Sequence, residues 1–118
     1  MYNKVILIGR LTRDPELRAS ENGNRVSFSL AVDREYKIEG QPDADFFDVV
    51  AFKKTADFIN EWFNKGMLVL VEGRLQTRKW KDRDNNSRTA VEINADKVRF
   101  AESKREEKNA LPDDQLPE

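Results

Sequence analysis

The sequence contains neither cysteine nor histidine. That removes disulfides, thiolate and imidazole metal ligands, thiol nucleophiles and imidazole acid–base catalysis in one step. Magnesium chemistry on carboxylates survives, because it needs only oxygen ligands. No apolar run approaches the ~20 residues of a membrane span, and the N-terminus lacks a charged-then-apolar signal pattern, so a cytoplasmic protein is expected. An excess of charge is missing too: the formal net charge is −1 and the pI about 5.6. Bulk electrostatics therefore does not advertise a nucleic-acid partner.

The distribution of charge says more than its sum. Positions 101–118 hold three basic and six acidic side chains, which leaves 18 basic against 16 acidic in positions 1–100. The body is slightly basic and the tail acidic. A chain of 118 residues is enough for one domain with a core,. The apolar pattern stops after Phe100, so the expected organisation is a domain over 1–100 and a disordered acidic tail over 101–118,.

The stretch Met67 to Trp80, MLVLVEGRLQTRKW, changes character along its length. With the period of two that a strand imposes, Val69, Val71, Gly73 and Leu75 fall on one face, and Glu72, Arg74, Gln76, Arg78 and Trp80 on the other,. A series of guanidinium groups ending in an indole can neutralise phosphates and stack a flat base together, which is what unpaired nucleic acid demands.

The rest of the chain reads as a barrel around this ribbon. Val5 to Ile8 are apolar on both faces, so one side meets the core and the other needs a cover, either more of the chain or a second subunit,. Asp14-Pro15 breaks that strand and Asn22-Gly23-Asn24 supplies a turn,. In the second strand, Arg25 to Asp33, Val26, Phe28, Leu30 and Val32 alternate with small or polar residues,. Arg34 to Asp45 is a long polar connection with Gly40 and Pro42,. The third strand, Asp45 to Phe52, carries large apolar groups on both sides. If Phe47 and Val49 are the core set, Phe46 and Phe52 are platforms; otherwise all three phenylalanines are buried. Lys54 to Lys65 has helical spacing through Ala56, Ile59 and Phe63, with Thr55 as a cap, Gly66 as a stop and Trp62 on the core side,. Lys81 to Asn86 is a charged turn in which Asp82 and Asp84 read as solvated. In the last strand, Arg88 to Phe100, Val98 and Phe100 fall off the parity of Thr89 to Ala95, which points to a bulge,.

Five strands with one short helix between the third and fourth is the order of an OB-fold, an all-β Greek-key barrel. The residues resemble the bacterial single-stranded DNA-binding protein family over nearly all of positions 2–100. The resemblance lies in Asn3 to Leu11 with Asp14-Pro15-Glu16, in Phe46 to Phe52, in Lys65-Gly66, in Val71-Glu72-Gly73-Arg74-Leu75 and in Thr77-Arg78-Lys79-Trp80. It implies bases stacked on Tyr36, Phe46, Phe52 and Trp80, with Arg34, Lys53, Arg74, Arg78 and Lys79 as phosphate partners. It also implies a nucleoid-associated protein of replication, recombination and repair that forms a homo-oligomer, usually a tetramer, with first strands pairing across a dimer. No cofactor or metal is implied. The family's tail commonly recruits partner proteins through acidic residues followed by an aliphatic residue, proline and phenylalanine. The corresponding positions here are Asp113, Asp114, Leu116 and Pro117, followed by Glu118 where the phenylalanine would stand. Two rival readings are an RNA- or oligosaccharide-binding OB module and a magnesium-dependent nuclease, the second lacking paired carboxylates beside the aromatic face.

Overall fold

The computed structural model describes residues 1–102, so the expectations for the tail fall almost wholly outside the described residues. Six strand segments and one helix follow the chain: β1 (Val5–Leu11), β2 (Glu16–Ser20), β3 (Gly23–Asp33), β4 (Ala44–Phe52), α1 (Lys53–Trp62), β5 (Leu68–Lys81) and β6 (Ser87–Phe100). They form one sheet in the order β1-β5-β6-β4-β3-β2, and β1 also pairs β3 through Arg10↔Ala31 and Leu11↔Leu30, closing the sheet into a ring. This is the expected OB-fold barrel.

The sixth segment is β2, where a break and a turn were expected. Its five residues are all exposed, so no alternation marked it,. It exists because its backbone pairs with β3 from Glu16↔Ser27 to Ser20↔Gly23. As β1 meets β3 three residues further along, at Leu30 after Ser27, β1 and β2 act as the halves of one strand bent at Asp14-Pro15. The five-stranded count holds in that sense.

The core follows the alternation read from the sequence: Val26, Phe28 and Leu30 of β3, Val49 and Ala51 of β4, Val69 and Val71 of β5 and Ile93 of β6 are all buried. Helix α1 plugs one end of the barrel with Ala56 and Ile59, and Phe63 follows just past its last turn. Its ends differ from expectation. Phe52 occupies the N-cap without a side-chain hydrogen bond, while the Thr55 hydroxyl reaches instead toward the Asp96 carbonyl at 3.5 Å. The helix stops at Trp62. Gly66, at φ 87°, lies beyond it in the turn to β5, and its N–H donates to the Leu11 carbonyl at 2.8 Å. Trp62 is 40% exposed rather than buried. The stripe that faces the core runs Ala56-Ile59-Phe63, and Trp62 lies about 100° round the helical path from Phe63.

The bulge in the last strand is present. Glu72 pairs with Lys97 and Gly73 with Ala95, so Asp96 is the extra residue,. The parity of β6 switches there, with Ile93 and Ala95 buried before it and Val98 after. Gly73 sits opposite, where any Cβ would collide with the Asn94 carbonyl, so the close crossing of the two strands requires glycine,. Leu75 shares the inward parity but is half exposed, although its cross-strand partner Ile93 is buried.

Candidate nucleic-acid interface

Cross-strand partners share a face of a sheet, so the register gives the outward surface directly. Arg25↔Phe52, Ser27↔Val50 and Ser29↔Asp48 join β3 to β4, and Val50↔Asn94 joins β4 to β6. Arg74↔Asn94, Gln76↔Glu92, Arg78↔Ala90 and Trp80↔Arg88 carry the same face across to β5. Serines and an alanine along β3 keep the middle of the surface low, while aromatic and basic side chains stand at its margins.

The rings expected to stack bases are open. Phe46 is 66% exposed, Phe52 41% and Trp80 44%. The aromatic contacts instead join Phe58, Phe63 and Phe100, which pack edge to face at the helix end of the barrel. Tyr36 is 75% exposed. Continuing the alternation of β3 would put it on the core side, but β3 ends at Asp33 and Tyr36 lies in the following loop, where alternation no longer applies.

The cations are less uniform. Arg74 and Arg78 share the face of Trp80, and each has a carboxylate beside it: Asp96 at 3.3 Å from Arg74 and Glu92 at 3.6 Å from Arg78. Lys79 pairs across to Thr89 and points to the other side of the hairpin from Arg78 and Trp80. Lys53 opens α1 with a φ of 57°, in the left-handed region. Arg34 is held by a fork to Asp45, with Nη2 to Oδ1 at 2.8 Å and Nε to Oδ2 at 3.1 Å, while its Nη1 donates to Gln41 at 3.1 Å. That fork raises the Arg34 pKa and lowers that of Asp45.

Two features escaped the sequence reading. The first is a recess of about 530 Å³ at the tip of the β2–β3 hairpin, walled by Phe52 and Lys53 with Arg18, Arg25, Asn22 and Asn24. Arg25 was findable, since it shares the parity of Ser27 and Ser29; Arg18 was not, because β2 itself was invisible. The second is a side-chain chain across β5 and β6. Asn94 Nδ2 donates to Gln76 Oε1 at 3.1 Å, and Gln76 Nε2 donates to Glu92 Oε1 at 3.0 Å. Alternation put Gln76 on the outward face without showing that it bonds.

Among the described residues no three Asp or Glu side chains converge to hold a metal ion, and no helix is long and apolar enough to cross a membrane. Asp82 organises its turn, accepting from the Asn86 and Asp84 backbone N–H groups and from Arg88 Nε. Those bonds hold its carboxyl below the usual range, the one from Asn86 most strongly.

Residues 2–101 match the single-strand binding protein family. The chain is 43% identical over 111 residues to "Single-stranded DNA-binding protein 1" of Staphylococcus aureus strain MSSA476, covering 92% of this chain and 71% of the relative. It is 45% identical over 106 residues to "Single-stranded DNA-binding protein 2" of strain Mu50, covering 88% and 75% respectively. With "Single-stranded DNA-binding protein 3" of Clostridium acetobutylicum it shares 45% identity over 116 residues, 97% of this chain and 81% of that one.

Proposed function

The chain belongs to the single-strand binding protein family, and from that membership we propose that it binds and protects single-stranded DNA in replication, recombination and repair, by contact alone and without a chemical step. The observation that carries the reading is the shared outward face on which Phe46, Phe52 and Trp80 are open beside Arg74 and Arg78. Bases stack on these rings and on Tyr36, each contributing about 1–3 kcal/mol. Lys53, Arg74 and Arg78 neutralise phosphates, Lys79 does so from the other side of the β5–β6 hairpin, and Arg18 and Arg25 extend the track around the β2–β3 tip. Every base has a flat face, so binding is nearly independent of sequence. Duplex DNA binds poorly because its bases are already stacked.

The working form is a homo-oligomer, a tetramer built from dimers, acting on strands exposed in the cytoplasmic nucleoid. The support is the outer face of β1, where Ile6 and Ile8 are more than half exposed in the single chain, a costly arrangement unless a second copy covers them,.

The test uses the two tryptophans. Adding oligo(dT) quenches the fluorescence of the protein; Trp62→Phe keeps the quench and Trp80→Phe removes most of it. A quench that survives Trp80→Phe and disappears with Trp62→Phe would move the site to the helix end and overturn the assignment. Competition by oligo(U) and a glycan separates DNA from the rival ligands.

A further inference from the structure

Arg34 is the basic residue of the proposed site whose guanidinium is most fully engaged within the protein. The last rung of the β3–β4 ladder is Asp33↔Ala44, and the loop of residues 34–43 springs from it. One backbone bond, Arg34 N–H to the Asp43 carbonyl at 2.7 Å, closes the neck. The Arg34 side chain then crosses the same neck, forking onto Asp45 on the opposite strand and reaching Gln41 on the returning limb. Gln41 in turn donates its backbone N–H to Ile38 at 3.0 Å, which ties the clamp to the loop tip. Tyr36 and Ile38 stay exposed at that tip.

We propose that Arg34, Asp45 and Gln41 form a clamp that sets the reach of the loop, and that Arg34 is a positioning residue for the Tyr36 ring rather than a phosphate contact. The inference rests on the single-strand binding reading, since it gives the held ring a base to stack on. A planar fork on a carboxylate fixes direction as well as distance, which a lysine ammonium does not. With the neck pinned, the loop presents Tyr36 in a restricted set of positions, and less freedom is lost when a base arrives.

The two roles for Arg34 predict opposite effects of Asp45→Asn. If Arg34 served phosphate, neutralising Asp45 would release it and tighten binding. As a clamp, Asp45→Asn weakens oligo(dT) binding by about threefold to tenfold, the scale of re-ordering one side chain on association. Arg34→Gln does the same and leaves the slope of log affinity against log salt unchanged, whereas loss of a phosphate contact lowers that slope by about 0.7. In a Tyr36→Ala background both substitutions lose their effect, because the ring they position is gone.

A second measurement needs no DNA. Trypsin cleaves after Lys37 faster in Asp45→Asn and Arg34→Gln than in the parent chain. Tighter binding by Asp45→Asn, a reduced salt slope in Arg34→Gln, equal losses with and without Tyr36, or an unchanged cleavage rate would each overturn the clamp. A parent chain that fails to bind oligo(dT) sinks the single-strand reading instead, and the trypsin arm still decides whether the clamp holds the loop.

Discussion

The Glu92 carboxylate lies 3.6 Å from Nε of Arg78 while remaining only 6% exposed. A buried negative charge is thereby set into the floor of a face proposed to receive a polyanion. It is held there because Gln76 donates to it and Arg78 stands over it.

Replacing that charge should separate stability from binding. Glu92→Gln keeps the shape but removes the repulsion toward phosphates, so oligo(dT) affinity at low salt rises by about twofold to tenfold, the scale of a single partly screened charge contact. Glu92→Leu leaves the Gln76 amide without its acceptor and costs about 1–3 kcal/mol of stability. Titration by fluorescence and denaturant unfolding read the two effects independently.

Lys53 adopts a backbone conformation that suits glycine. Lys53→Gly removes a left-handed strain of about 1–2 kcal/mol and adds unfolded-chain freedom of about 0.5–1 kcal/mol. The melting temperature therefore rises slightly. Affinity for single strands falls at the same time, with a salt slope lower by about 0.7, because the proposed phosphate partner is lost. A variant that is more stable and binds more weakly identifies a position where function overrides backbone preference.

Two phenylalanines should respond in opposite ways. Phe46 is mostly exposed and Phe28 is fully buried. Phe46→Ala leaves unfolding within about 0.5 kcal/mol of the parent and weakens DNA binding by about 1–3 kcal/mol. Phe28→Ala costs about 3–5 kcal/mol of stability. Paired unfolding and binding curves check both.

The pair of Lys4 and Glu72, 2.6 Å apart, links the chain's beginning to β5. Its hydrogen bond lowers the Glu72 pKa and raises that of Lys4. A lowered carboxylate stabilises above its unfolded pKa, and that contribution is lost as pH falls through the folded value. A raised lysine stabilises below its unfolded pKa, and its contribution is lost as pH rises through the folded value. The difference in melting temperature between the parent and Lys4→Met is therefore greatest between about pH 5 and pH 10 and closes on both sides. Both groups are exposed, so the amplitude is small.

Much of the barrel was legible because burial imposes a period. Val26, Phe28 and Leu30 announced β3, and the parity change at Val98 announced the bulge that Asp96 supplies. What escaped was set by geometry without an apolar signature. Exposed β2 is held by backbone pairing alone. Leu75 kept the right parity but is half exposed opposite the buried Ile93. At the candidate site, the opposition of Arg78 and Lys79 followed from parity, whereas the capture of Arg34 by Asp45 depends on how the loop returns. Spacing along the chain does not encode that return.

The pairing of β1 with β5 has a consequence for how the protein is made. Val5 to Arg10 leave the ribosome well before their partners, Gly73 back to Leu68. Until those partners are made, β1 has only its short pairing with β3 at Arg10 and Leu11, and Val5 to Ile8 have no strand beside them. The nascent chain therefore carries this aliphatic segment bare until the fifth strand emerges, and a chaperone that shields short aliphatic stretches would find a target there.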